Sequence, residues 1–312
     1  ICGDVGFGKT EVALRAAFVV ASQGKQVAVI TPTTLLCRQH FKNFQERLTP
    51  FGLTVAQMSR FVTPKQTKDI KERLAQGRLD VVIGTHSLLS KDVNFADLGL
   101  VVVDEEQHFG VKQKEKLKAL QKDVHLLTLS ATPIPRTLQM ALTGVRDMSI
   151  IATSPVDRLA IRTFVTPYDA LIVKEAIERE LHRQGQIFYV CPRLKDIPDV
   201  RERLQKLMPD LRIAVATGQM AAHDLEDVMD AFMNREYDLL LATNIIESGI
   251  DISSVNTLFI HKSDMFGLSQ LYQLRGRIGR GKVRGYAYFL LPDGVLSANG
   301  QKRLEVMQTL DS

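Results

Sequence analysis

The sequence predicts an α/β fold of two tandem domains, each a parallel β-sheet covered by helices. Three observations lead there. Short apolar runs of strand length alternate with helix-period segments along the chain, the pattern of strands buried on both faces. The octapeptide Gly3-Asp4-Val5-Gly6-Phe7-Gly8-Lys9-Thr10 fits the phosphate-binding pattern GxxxxGK[ST] and runs directly into an amphipathic stretch. The alternation breaks once, in the proline-containing residues 152–159 (ATSPVDRL), and then restarts. With 312 residues, 45% of them apolar, the chain can build two ordinary cores, divided as 1–152 and 153–312.

In the first domain the apolar runs predict strands at 26–31, 79–83, 98–104 and 124–130. The segments between them carry helical spacing and predict helices at 10–22, 35–48, 64–76 and 112–121. After the linker, strands are expected at 161–165, 186–191, 212–216, 239–243, 257–260 and 286–291, with helices near 170–183, 200–208 and 225–233. A phosphate loop needs a strand in front of it, yet only Ile1 and Cys2 precede Gly3. The expectation is therefore a chain that begins inside a domain, its first strand cut. At the other end, QKRLEVMQTLDS reads as a helix that simply stops, so a longer parent polypeptide is expected.

The net charge of +5 is unevenly spread, with 20 basic and 14 acidic residues in the first domain against 20 and 21 in the second. This is compatible with a polyanion against the first domain, but charge alone does not identify nucleic acid. No apolar run approaches the ~20 residues that span a bilayer, and no charged-then-apolar leader opens the chain. A cytoplasmic location is expected. Cys2, Cys37 and Cys191 are scattered without CxxC spacing, so neither a disulfide framework nor a zinc site is indicated and they are expected to be small core residues.

The chemistry concentrates in a few places. In the octapeptide, glycines let successive backbone N–H groups curl around an anion at a helix N-terminus. Lys9 is placed to reach the β and γ phosphates of a nucleoside triphosphate, and the Thr10 hydroxyl to sit on Mg²⁺. Val101-Val102-Val103-Asp104-Glu105 is an apolar strand ending in two carboxylates, the form of a Walker B element. Asp104 is expected to hold Mg²⁺, mostly through water, and Glu105 to deprotonate the attacking water. Gln273-Leu274-Arg275-Gly276-Arg277-Ile278-Gly279-Arg280 packs three arginines among glycines. Arg277 and Arg280 are the candidates to neutralise charge on a transferring phosphoryl group, and the glycines argue for close backbone approach. A basic surface helix is the plain alternative. Short polar segments also end predicted strands: Thr31-Pro32-Thr33-Thr34, Gly84-Thr85-His86, Ser130-Ala131-Thr132 and Thr243-Asn244. They offer donors to phosphate oxygens, although ordinary helix caps explain each equally well.

In order, GDVGFGKT, PTTLL, GTH, DEEQ, SATPIPRT, TNIIESGID and QLRGRIGR resemble motifs I, Ia, Ib, II, III, V and VI of superfamily 2 helicases and translocases, across essentially the whole chain. The resemblance implies two RecA-like lobes of the P-loop NTPase class, ATP and Mg²⁺ as cofactors, and a cleft that opens and closes with each hydrolysis. It adds Gly249, Asp251 and Gln273 to the nucleotide site, and it assigns Pro32, Thr33, Gly84, Thr85, Ser130, Thr132 and Thr243 to DNA contact or coupling. Two branches share the TATPIPRT-like motif and the FGLxQLxQLRGR stretch, here residues 130–137 and 266–277. Phe7, Thr33-Thr34-Leu35-Leu36, Asp104-Glu105-Glu106-Gln107 and Gly218-Gln219-Met220 resemble the bacterial transcription-repair coupling factors, whereas Tyr189-Val190-Cys191-Pro192 leans towards the RecG branch-migration helicases. His108, Thr217 and Ser253 depart from the commoner arginine, histidine and proline of the family.

The resemblance to coupling factors implies an ATP-dependent double-stranded DNA translocase that displaces stalled RNA polymerase and promotes excision repair. Its contacts to polymerase and repair proteins are expected to lie outside these residues. A RecG-like fork-reversing helicase and a nucleotide-dependent binding switch with little turnover stand as alternatives.

Overall fold

The computed structural model describes residues 1–60, 62–105, 109–110, 113, 115, 117, 124–131, 147–153, 159–243, 252–279, 283–292 and 298–309. The chain divides into two compact units, Ile1–Ser154 and Pro155–Ser312.

In the first unit, β1 (Cys2–Gly3) leads into α1 (Lys9–Ser22) and β2 (Gln26–Ile30). Next come α2 (Thr34–Leu48), β3 (Val55–Met58), α3 (Pro64–Ala75) and β4 (Val81–Gly84), followed by β5 (Leu98–Asp104), β6 (His125–Leu129) and β7 (Ile150–Ile151). Five strands form a parallel sheet in the order β3-β4-β2-β5-β6. A short parallel pair, β1-β7, continues it, because Cys2 bridges to Ser130 just beyond β6. The central strands β2 and β4 are buried along their whole length. Successive side chains go to opposite faces: Val27, Val29, Val81, Ile83, Leu100 and Val102 pack against α1 and α2, while Ala28, Ile30, Val82, Val101 and Val103 pack against α3.

The second unit runs β8 (Arg162–Pro167), α4 (Ala170–His182), β9 (Gln186–Val190), α5 (Ile197–Leu207), β10 (Ile213–Ala216) and α6 (Ala222–Met233). It continues with β11 (Leu239–Ala242), β12 (Val255–Ile260), α7 (Leu268–Arg275), β13 (Tyr286–Leu291) and α8 (Ala298–Thr309). Its six-stranded parallel sheet has the order β10-β11-β9-β12-β13-β8.

One bonding device recurs in both units. Gln26 opens the central strand of the first sheet; its Nε2 donates to the Leu74 and Leu79 carbonyls (3.0 and 2.9 Å), and its Oε1 accepts from the Asp97 N–H (3.1 Å). Gln186 opens β9, donates to the Phe232 and Tyr237 carbonyls (both 2.7 Å) and accepts from the Ser254 hydroxyl (2.6 Å). Each buried amide thus closes the helix-to-strand turn of a neighbouring strand. Asp80 and Asp238 repeat the pattern, accepting from the Thr54 and Arg212 backbone N–H groups at 2.7 and 3.1 Å. The left-handed turn is taken by Gly77 (φ 68°) in one unit and by Arg235 (φ 65°) in the other.

The structure differs from the sequence expectations at several elements, the unexpected two-residue strand β7 among them. A two-residue strand, Cys2–Gly3, does precede the phosphate loop. β3 was not expected, because its alternating VAQM has the half-buried pattern of an edge strand and no continuous apolar run. α5 and α6 begin three residues earlier than the apolar spacing marks, Pro198 falling at the tolerated start of α5. α7 occupies the segment preceding Gly276, where glycine spacing obscures a helix. The helix expected at 112–121 lies largely outside the described residues, as do linker positions 154–158. The three cysteines are free thiols, and burial pushes Cys37 and Cys191 up to about 12.

Gln26→Leu and Gln186→Leu each strand several buried backbone groups, and each is expected to lower unfolding stability by at least about 2 kcal/mol in urea titration. Wild-type midpoints in both variants would show that the amides are dispensable.

Candidate active site

The phosphate loop hangs between a strand and a helix. Gly3 pairs with Ile151, and its N–H donates to the Ser130 carbonyl at 3.2 Å. A Cβ at Gly3 would lie 3.0 Å from the Ile151 Cβ, so only glycine fits there without a shift. Gly6 and Gly8 then take left-handed φ values of 81° and 86°, which turn the backbone into the start of α1. Asp4 stiffens the turn: its Oδ1 accepts the Val5 N–H at 2.7 Å, and its carbonyl accepts the Phe7 N–H at 3.2 Å. Gly8 is the N-cap of α1 and brings no side-chain cap, so the helix end keeps its N–H groups directed at the loop. The Lys9 ammonium folds over this loop and donates to the Gly3 and Asp4 carbonyls at 2.7 and 2.9 Å. Thr10 follows in the first turn, half-buried.

The acidic pair sits two strands away. Asp104 ends β5 opposite Leu129 of β6, and the next residue of that strand line, Ser130, bridges to Cys2. At ~4.8 Å per strand spacing, the loop and the acidic end lie on the order of 10 Å apart on one sheet edge. Open parallel sheets bind ligands at this carboxyl edge. Asp104 is 7% exposed, and its Oδ2 accepts a 2.8 Å hydrogen bond from Nε2 of His40, itself buried on α2. Glu105 is also 7% exposed and holds a left-handed φ of 51°, fixed by its N–H donating to the Leu129 carbonyl at 3.1 Å. Such a conformation costs a non-glycine residue about 1–2 kcal/mol.

Hard oxygen donors suit a small divalent cation. Among the described residues no group of three or more His, Cys, Asp or Glu forms a metal cage. Magnesium uses one or two protein oxygens together with phosphates and water, so the Thr10 hydroxyl and the Asp104 carboxylate fit it.

The strand-end segments have local work. Thr33 is the N-cap of α2, its hydroxyl accepting the Leu36 N–H at 3.2 Å, and the Thr31 hydroxyl donates to the Thr33 carbonyl at 3.1 Å across Pro32. At Gly84 a Cβ would lie 2.7 Å from the Met58 carbonyl and 2.7 Å from Leu88, so packing alone demands glycine there. Thr85 shares a hydroxyl–hydroxyl bond with Ser87 (3.2 Å). The Ser130 N–H donates to the Ile1 carbonyl at 3.1 Å, tying that residue to the strand under the loop.

In the second unit Thr243 directly follows β11, with its N–H on the Ala216 carbonyl at 3.3 Å. Gln273 lies in α7, and Arg277 follows that helix at 3% exposure, its N–H on the Leu274 carbonyl at 3.0 Å. Of the two glycines in this segment, Gly279 (φ 65°) meets Gly285 within the unit so tightly that a Cβ would lie 3.3 Å from its backbone. Thr132, Gly249, Asp251 and Arg280 lie outside the described residues. His40 escaped sequence reasoning. Its signal was a histidine on the apolar stripe of α2, at helical spacing from Leu36, Cys37 and Phe44.

Residues 1–141 match the family model of the DEAD/DEAH box helicases, and residues 170–282 match that of the helicase conserved C-terminal domain. The transcription-repair-coupling factor of Staphylococcus aureus (strain USA300) is 53% identical over 99% of this chain, and that of Staphylococcus epidermidis 52%. The chain spans about a quarter (26%) of the length of these relatives. The structure of RecG bound to a three-way DNA junction superposes with a TM-score of 0.82 at 34% identity, covering 100% of this chain and 43% of that one. Saccharomyces cerevisiae Dbp5 bound to RNA and ADP BeF3 shares the fold, at a TM-score of 0.72 and 17% identity over 100% of this chain and 83% of that one.

The strained backbone at Glu105 separates stability from chemistry. Glu105→Gly is expected to unfold at the same or higher denaturant concentration, a gain of up to about 1 kcal/mol, while losing ATP turnover. A marked destabilisation would show that the glutamate side chain holds the strand end.

Proposed function

Because residues 1–141 match the DEAD/DEAH box helicase model, residues 170–282 match the helicase C-terminal model, and the chain is similar to the transcription-repair-coupling factors, we propose that it is an ATP-driven, double-stranded DNA translocase motor of their kind. The observation that carries the reading is the shared sheet edge: a glycine-turned phosphate loop ending β1, and an Asp-Glu pair ending β5. The family binds a nucleotide with a metal ion, which in the proposal is Mg²⁺·ATP, working in the cytoplasm.

The roles follow from the chemistry of each group. The N–H groups from Asp4 to Thr10 cradle the phosphates, and Lys9 moves from the loop carbonyls to the β and γ oxygens. Thr10 and Asp104 hold Mg²⁺, which when bound offsets charge on the phosphate oxygens. Glu105 takes a proton from the attacking water. Arg277 and Arg280 neutralise charge on the transferring phosphoryl group, and Gly249, Asp251 and Gln273 complete the nucleotide contacts. Pro32, Thr33, Gly84, Thr85, Ser130, Thr132 and Thr243 form the DNA-facing and coupling set. Contacts of that kind read backbone and not sequence, which suits a motor that walks over any duplex. Displacement of RNA polymerase and recruitment of excision-repair proteins are the finer part of the proposal; the coupling factors the chain resembles are nearly four times as long as it is. The RecG likeness supports a second reading, remodelling of branched DNA; triplex displacement without strand separation distinguishes the translocase from it.

ATP hydrolysis measured with and without duplex DNA tests the assignment. Duplex is expected to stimulate turnover. Lys9→Ala should abolish nucleotide binding, Glu105→Gln should keep binding but lower kcat by about 10²–10⁴, and Arg277→Ala should lower it by about 10³ or more. Wild-type hydrolysis in Lys9→Ala and Glu105→Gln would refute the site.

A further inference from the structure

We infer that His40 is a positioning residue for the metal-binding carboxylate: its Nε2–H holds the Oδ2 oxygen of Asp104, so that Oδ1 is presented to the Mg²⁺ shell. The inference rests on the Walker B reading of Asp104. Both partners are nearly enclosed, His40 at 5% and Asp104 at 7% exposure, and they meet at 2.8 Å between elements 64 residues apart in sequence. His40 belongs to the buried face of α2 with Leu36, Cys37 and Phe44, and its ring stands edge-on to Phe44 at 6.2 Å. An imidazole there gives up solvation that an aliphatic residue would not need, and its polar contact goes to the one aspartate ending β5. A carboxylate gripped at one oxygen has its plane fixed, and outer-shell partners of this kind orient metal ligands.

Burial alone would make His40 a packing residue, so the test must read the metal. Binding of a fluorescent ADP analogue is titrated with Mg²⁺ and compared with binding in EDTA. His40→Leu is expected to raise the Mg²⁺ concentration for half-maximal effect by about 10–100-fold while leaving affinity in EDTA unchanged. His40→Gln, which keeps a donor, should recover most of the loss. Asp104→Asn should shift the same Mg²⁺ dependence. If Asp104→Asn shifts it and His40→Leu does not, the positioning role is wrong; if Asp104→Asn has no effect, the metal reading itself falls. Should His40→Leu not fold, the wild-type protein decides: the ¹⁵N resonances of the His40 ring must move when Mg²⁺·ADP replaces ADP in EDTA. Unmoved resonances overturn the inference.

Discussion

Backbone pairing of two residues, Cys2 and Gly3, fixes the rest of the site. The Cys2 N–H donates to the Ser149 carbonyl at 2.8 Å on one side, and the Gly3 N–H to the Ser130 carbonyl on the other. Ser130 continues β6, and β6 is locked to β5 in the register that sets Leu129 against Asp104. Phosphate loop and acidic pair are therefore placed by hydrogen-bonded strands and not by loops. A parallel sheet makes this economical, because every strand delivers its carboxyl end to the same edge.

The sheet tolerates local cost at that edge because its centre is so well buried. Val102, Val103, Val27 and Ile83 are 0% exposed, whereas Asp104, the next residue after Val103, is gripped by a buried imidazole and Glu105 beyond it is held in a left-handed conformation. Strain and desolvated polar groups collect where chemistry is expected and the core pins the backbone on the other side. Arg235 offers a contrast. It carries nearly the same left-handed φ as Gly77 at the matching turn of the second unit, with its guanidinium on the Gln184 carbonyl at 2.8 Å, and no candidate role falls on it. A positive φ alone does not mark a site.

Much of the fold was legible because strands buried on both faces write themselves as short continuous apolar runs, and the β-branched content and length of VVVD, QVAVI and QIFYV favour strand over helix. The edge strand β3 was not, since half-burial replaces the run by alternation across four residues. β1 was missed because two residues carry no pattern; pairing with Ser130 and Ile150 makes them a strand. The phosphate loop and Asp-Glu pair were legible because their chemistry demands fixed residue types at fixed spacing. His40 was not, because its role depends on a partner 64 residues away that no local pattern reveals. Thr33 and Gly84 show the converse: the motif drew attention to them, and capping and packing explain their identity without a ligand.

The two units use one plan, from the glutamine bracket at Gln26 and Gln186 to the turn aspartates Asp80 and Asp238. What distinguishes the first is the anchored phosphate loop. Amide hydrogen exchange across residues 2–10, with and without Mg²⁺·ATP, tests that claim most directly. The Cys2 and Gly3 amides should be protected already, and nucleotide should slow exchange from Val5 to Thr10. A loop whose exchange is unchanged at saturating nucleotide would contradict the account.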